Sequence, residues 1–216
     1  MATGASRSRG LRTQDWVRPA VYYGSLMPLV LLAVRAVTGS LGANPIAEVM
    51  NQLGLLGLVF LIASLACTPL RILFGWTWPV AVRRTLGLFA FFTILFHFFV
   101  YLVLDQGLAL GPVLRDVGER PFITLGFAAL VLLVPLAVTS TKGSVKRLGA
   151  KRWRRLHRLA YVAGVLGIVH YLLRVKADAT EPILYGSVLG ALLLVRVVDW
   201  ARRRADAAKR QARAAG

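Results

Sequence analysis

The sequence predicts an all-α integral membrane protein: six transmembrane helices packed as one bundle, with both termini in the cytoplasm. Three observations carry this. The 216-residue chain is 57% hydrophobic with a mean hydropathy of +0.64, well above the apolar share of an ordinary soluble domain. The apolar residues gather in runs, each near the roughly 20 residues that cross a hydrocarbon core. The net charge of +18 is confined to tails and short loops between those runs, which is a topology pattern and excludes a nucleic-acid surface.

Residues 1–19 read as a cytoplasmic tail, with Arg7, Arg9, Arg12 and Arg18 ahead of the first run. No small-residue cleavage site follows that run, so Ala20–Val37 reads as an uncleaved first span. The second span, Leu53–Pro69, holds the one cysteine, Cys67. A single cysteine excludes an internal disulfide and a CxxCH haem attachment; it reads as a small buried hydrophobe. The third span, Thr85–Leu104, begins after the pair Arg83-Arg84. The fourth is Phe122–Val138. The fifth, Leu156–Leu173, follows the basic run KRWRRLHR (151–158), which suits anionic lipid or an acidic soluble partner equally. The sixth is Ile183–Val198. Residues 199–216 form an Ala/Arg-rich tail expected to prolong that helix into solvent. Trp76, Trp78, Trp153 and Trp200 fall near the interfaces and read as belt residues.

Sidedness follows from counting charges. The N-terminal tail, the 70–84 and 139–158 segments and the C-terminal region hold all but five of the 27 Lys and Arg. The opposite side holds Arg35, Arg115, Arg120, Arg174 and Lys176, and six of the nine acids: Glu48, Asp105, Asp116, Glu119, Asp178 and Glu181. The positive-inside rule puts the basic side in the cytoplasm.

Of the three histidines, His97 and His170 lie at similar depth in the outer halves of spans 3 and 5. Two imidazoles at one depth on two helices can clamp a metal from opposite sides, as in a haem with two axial histidines. A closed zinc site is less well served, because no Cys or acid lies at that depth. The competing reading is a helix-packing histidine bonded to neighbouring backbone. His157 lies near the cytoplasmic edge, about 20 Å below His170 on helix rise, and about 140° off its face unless the helix bends; Gly164 and Gly167 between them would permit a bend. It is either an interfacial residue or a ligand of a second haem. Arg83 is about 40° off the face of His97, so span 3 offers arginine at the depth of His157. Arg83 and Arg84 at a helix start suit a propionate or a flavin phosphate, or serve as topological anchors. Tyr101 and Tyr171 read as packing residues that could also line a pocket.

The segments RRTLGLFAFFTILFHFFVYLVLD (83–105), ERPFITLGFAALVLLVPLAVTSTKG (119–143), LGAKRWRRLHRLAYVAGVLGIVHYLLRVKAD (148–178) and CTPLR (67–71) resemble the MsrQ (YedZ) family, the haem-binding membrane subunits of the bacterial periplasmic protein-methionine-sulfoxide reductase system, within the ferric-reductase-like transmembrane domains. The resemblance makes residues 20–198 a ferric-reductase-like domain. In the broader group spans 3 and 5 each bring two histidines to two stacked haems; this chain matches three positions, His97, His157 and His170, and has Arg83 at the fourth. The resemblance implies haem b, one or two per chain, and FMN. It implies a multi-pass protein of the bacterial inner membrane, drawing electrons from the quinone pool or a cytosolic flavin reductase. The implied acceptor is a periplasmic molybdopterin-containing subunit, paired as a heterodimer, that reduces methionine sulfoxide in oxidised proteins. The chain itself would then be a non-catalytic electron-transfer subunit. The alternatives are a small transporter or assembly factor with structural histidines, or a ferric or superoxide-forming reductase, which normally carries a fused NADPH/FAD domain.

Overall fold

In a computed structural model, which describes residues 13–215, the chain is helical throughout its long elements. These are α1 (Thr13–Val37), α2 (Pro45–Phe74), α3 (Trp78–Val100), α4 (Leu110–Glu119), α5 (Pro121–Val138), α6 (Lys142–Leu148), α7 (Ala150–Leu156), α8 (Leu159–Arg174) and α9 (Thr180–Ala215). A π-helical turn, Tyr101–Asp105, prolongs α3. Among the described residues, six stretches are long and apolar enough to cross a membrane: Trp16–Val37, Pro45–Phe74, Trp78–Asp105, Pro121–Val138, Ala150–Arg174 and Thr180–Ala214. The six expected spans are all present, and most run longer than the apolar pattern alone marked. Arg7, Arg9, Arg12 and Gly216 lie outside the described residues.

The middle helix is α2. Of its most apolar window 56% is buried, against 22% or less in every other span. Its start is fixed by Asn44, whose side chain accepts from the Ala47 N–H (3.1 Å), and by Pro45 in the first turn. Its end is fixed by Gly75 at φ 71°, whose N–H bonds the Arg71 carbonyl. Glu48, expected in the outer loop, lies within the first turn of α2, where it receives Arg35 (2.5 Å), the Gly42 N–H (2.7 Å) and Gln52 (3.0 Å). That clip joins α1 to α2.

The most extensive helix contacts are α2 with α3 and α5 with α8. Gly57 lets the first pair approach closely, since a Cβ there would stand 2.5 Å from Ile94 Cγ1. The core runs through Phe60, Leu61, Leu65, Ala90, Leu133 and Ala163, closed by Leu189 of α9. Around it, side chains such as Phe92 (60% exposed) and Leu194 (62%) face outward. An apolar exterior of this extent is what lipid contact requires and water penalises.

Pro69 sits inside α2 and cannot donate to the Leu65 carbonyl four residues earlier. Arg196 of α9 fills that vacancy: its Nη2 donates to Leu65 O (2.5 Å) and its Nη1 to the Tyr161 hydroxyl of α8 (2.7 Å). The charge count places Arg196 with the basic C-terminal region; in the structure it ties α9 to α2 and α8. The tail itself continues α9 as far as Ala215, as expected of a helical extension.

The fifth span differs from its expectation. Gly164 and Gly167 lie within the unbroken helix α8 and pack against Leu65, Leu189 and Leu58. The bend falls instead at His157 and Arg158, between α7 and α8. Side-chain packing there outweighs glycine's intrinsic freedom, because α8 needs small residues where it meets α2 and α9.

Candidate functional site

A cavity of about 320 Å³ opens between α2, α3, α5 and α8, toward the end of the bundle away from the basic segments. Its walls are mostly apolar, with Leu55, Leu58, Leu130 and Leu133 among them. His97 of α3 and His170 of α8 both line it. Their ring centroids are 6.3 Å apart and the ring planes cross at 84°.

Each imidazole is held from behind by backbone. His97 Nδ1–H donates to the Met50 carbonyl of α2 (2.7 Å), and His170 Nδ1–H donates to the Phe122 carbonyl of α5 (2.6 Å). A carbonyl can only accept, so Nδ1 carries the proton in both rings and each Nε2 keeps its lone pair. This is the usual preparation of a metal-binding histidine, whose far nitrogen is oriented by a backbone acceptor. Two imidazoles bound trans to one first-row metal, each bond about 2 Å long, hold their centroids about 6 Å apart. The observed separation fits that arrangement. The residues present therefore fit an iron porphyrin: two facing imidazoles, apolar walls for the macrocycle and cations at the rim. No group of three or more His, Cys, Asp or Glu suited to a metal ion occurs among the described residues, so a closed all-protein zinc site is not formed.

The rim toward the loops is polar. Tyr101, Asp105, Arg120, Tyr171 and Arg174 line it. Tyr101 donates to Asp116 of α4 (2.8 Å) and Tyr171 donates to Glu181 of α9. Both tyrosines thus line the cavity rather than merely packing. Arg120 is tied to Asp116 (3.0 Å). Arg174, half-buried one turn beyond His170, has no hydrogen-bonded acid among the described residues. Sequence reasoning counted Arg120 and Arg174 only as loop charges. The i,i+4 spacing of His170 and Arg174 was the signal that places them on one helix face.

The other named residues lie elsewhere. Arg83 donates from Nη1 to Thr68 (3.3 Å), and its carbonyl accepts from Ser64 (2.9 Å). Arg84 is exposed. Neither lines the cavity. His157 is half-buried where α7 ends; its Nε2 pairs with the Thr139 hydroxyl (3.1 Å), and Trp153 stacks on it at 3.9 Å between centroids. Trp153 also donates to the Thr139 carbonyl (2.9 Å). Trp153 is therefore a partner of His157 as well as a residue at the basic end of the bundle.

Residues 50–168 match the family model of the ferric reductase like transmembrane component. The match includes His97 and His157 and stops two residues short of His170. Relatives agree over most of the chain. The Rhodospirillum rubrum protein-methionine-sulfoxide reductase heme-binding subunit MsrQ is 54% identical over 187 residues, covering 87% of this chain and 90% of that one. The MsrQ of Deinococcus radiodurans is 51% identical, covering 87% and 92%. That of Herminiimonas arsenicoxydans is 47% identical over 190 residues, covering 87% of each.

Proposed function

This chain belongs to the MsrQ family, within the ferric reductase-like transmembrane components, and from that membership we propose that it is a haem-b-binding electron conduit across the bacterial inner membrane. The observation that carries the reading is the His97–His170 pair: 6.3 Å apart, lining one apolar cavity, each with Nδ1 engaged by a carbonyl.

His97 and His170 would hold the haem iron through their free Nε2 atoms. Haem b, when bound there, supplies one-electron chemistry that no side chain of this chain can perform. The chain's part is to orient. Met50 and Phe122 aim the imidazoles, the leucines of α2 and α5 keep water from the site, and Arg120 and Arg174 offer charge to propionates at the rim. Tyr101 and Tyr171 tie the rim to α4 and α9. With the basic segments in the cytoplasm, this site lies in the periplasmic half.

Electrons enter at the cytoplasmic side, from the quinone pool or a cytosolic flavin reductase, and leave to a periplasmic molybdopterin-containing subunit that reduces methionine sulfoxide. Arg84, exposed at the basic end, and Arg83 are the cations there for a flavin phosphate of FMN. His157 is the remaining imidazole and, by the family resemblance alone, the candidate ligand of any second haem; to serve it would have to give up its bond to Thr139.

A reduced-minus-oxidised optical spectrum with a pyridine haemochrome count tests this. The purified wild type is expected to show a low-spin b-type spectrum. His97→Ala and His170→Ala are each expected to lose the haem of the outer site, and His157→Ala reads out whether the count of one or two depends on it. Unchanged spectra in both His97→Ala and His170→Ala refute the ligand assignment.

A further inference from the structure

The two histidines are held by the same device, used twice. Met50 and His97 are 47 residues apart in sequence, and Phe122 and His170 are 48 apart. Each acceptor carbonyl lies four residues before a glycine: Met50 before Gly54, Phe122 before Gly126. In an α-helix the N–H of residue i+4 is the partner of carbonyl i. Each of these carbonyls is therefore shared between a glycine N–H and an imidazole N–H. The imidazole can reach it only by lying across the glycine.

The space left by the missing side chains shows this. A Cβ at Gly54 would stand 3.2 Å from both Cε1 and Nδ1 of His97. A Cβ at Gly126 would stand 2.7 Å from Nδ1 and 3.0 Å from Cε1 of His170. The second contact is impossible without displacing the ring, and the first requires it to give. Neither glycine is needed for its backbone conformation, since both are helical. Their function is to vacate the volume in which each ring lies. By contrast Gly24 and Gly190 have open space where a Cβ would go.

We propose that Gly54 and Gly126 are positioning residues that seat His97 and His170 against the Met50 and Phe122 carbonyls and thereby fix the near-perpendicular crossing of the two imidazole planes. The inference rests on the ligand assignment above and adds to it the determinant of ligand orientation. In a ferric low-spin haem the angle between axial ligand planes sets the splitting of the iron d orbitals. Perpendicular planes give a ramp-shaped electron paramagnetic resonance signal with one large g value. Parallel planes give a resolved three-line rhombic signal. The hydrogen bond to Nδ1–H also raises the ligand's basicity and so bears on the reduction potential.

The test uses the haem-loaded full chain and its Gly54→Ala, Gly126→Ala and Gly24→Ala variants. Wild type and Gly24→Ala are expected to share the ramp-shaped signal and one midpoint potential. Gly126→Ala is expected to lose that signal in favour of a more rhombic one, with a shifted potential. Gly54→Ala is expected to change in the same sense by less, because 3.2 Å demands a smaller displacement than 2.7 Å. Should Gly126→Ala fail to assemble, Gly54→Ala decides by the same two readouts. A wild-type signal and potential in Gly54→Ala, and in Gly126→Ala where it assembles, overturn the inference. A wild type with no bis-imidazole low-spin signal fails at the ligand assignment instead, so the two failures are distinct.

Discussion

Arg196 offers a sharp test of how the bundle is held together. It is a charged side chain inside an apolar span, and its Nη2 takes the Leu65 carbonyl that Pro69 cannot serve. Leu65 is 1% exposed, so no water can stand in. Arg196→Met leaves that carbonyl without a donor, at a cost of about 1–3 kcal/mol, in addition to the lost charged bond to Tyr161. Pro69→Ala restores an N–H four residues after Leu65. In that background Arg196→Met still loses the Tyr161 bond but no longer orphans the carbonyl. The second cost should therefore be smaller by about 1–2 kcal/mol, or roughly tenfold in the unfolding equilibrium. A double-mutant cycle on reversible unfolding in mixed micelles measures it, and the individual cost of removing the Pro69 ring cancels. If the two costs add within about 0.5 kcal/mol, the carbonyl is not what Arg196 serves and the argument fails.

Gly57→Ala places a Cβ 2.5 Å from Ile94 Cγ1 and 3.3 Å from the Ile94 backbone nitrogen; it should cost about 1–3 kcal/mol by overpacking, partly recovered by Ile94→Ala, and unaltered thermal stability in detergent would refute the close α2–α3 crossing. Thr139→Val removes the bonds of its hydroxyl to His157 and to the Pro135 carbonyl, and Trp153→Phe removes the bond to the Thr139 carbonyl; each should lower stability by about 1–2 kcal/mol, and because both side chains pack on one ring, their sum should exceed the double variant, while strict additivity would count against a shared cluster. Asp178, in the loop before α9, has its carboxyl pKa lowered by its bonds to Thr180, first the side chain and then the N–H. A lowered folded-state value stabilises above the unfolded pKa and is lost as pH falls through the folded one. Protection from hydrogen exchange at the start of α9, taken relative to the intrinsic rate at each pH, should fall in acid for wild type, and Asp178→Asn should abolish that dependence.

The class, the six spans and the histidine pair were readable because each depends on the sequence locally. Apolar runs between charged loops mark spans, and intramembrane histidines at matched distances from Arg83-Arg84 and Arg154-Arg155 mark a common depth. What escaped depends on helix rotation and on partners distant in sequence. The carbonyls of Met50 and Phe122 carry no side-chain signal at all. Arg120 and Arg174 look like any loop cations until the faces of α5 and α8 are known. Arg196 becomes intelligible only with Pro69, more than a hundred residues earlier. Gly164 and Gly167 permit a bend, yet the break falls at His157 and Arg158, because the packing of α8 on α2 and α9 is not local in sequence. The Leu-Gly pairs at 53–54 and 125–126 carry no signal by themselves, because Leu-Gly occurs nine times in the chain; only the fold shows which of them lie under a histidine.

The paired arrangement of α2–α3 and α5–α8 also bears on why the two ends of the bundle differ. The α2–α3 and α5–α8 pairs deliver equivalent parts to the cavity end: a carbonyl, a glycine and a histidine from each. At the basic end they begin alike and then diverge. A threonine hydroxyl near the end of the first helix of each pair meets a side chain at or just before the second. In one pair Thr68 meets Arg83 (3.3 Å), and in the other Thr139 meets His157 (3.1 Å). Guanidinium has no lone pair to give a metal, whereas imidazole does. On the proposed ligand assignment, the cavity end would hold iron through one imidazole from each pair. The basic end offers one imidazole and one fixed cation, a pairing that favours a group with an anionic arm over a second bis-imidazole iron. Arginine in one helix pair where the other has histidine is enough to make the two ends of the bundle chemically unlike.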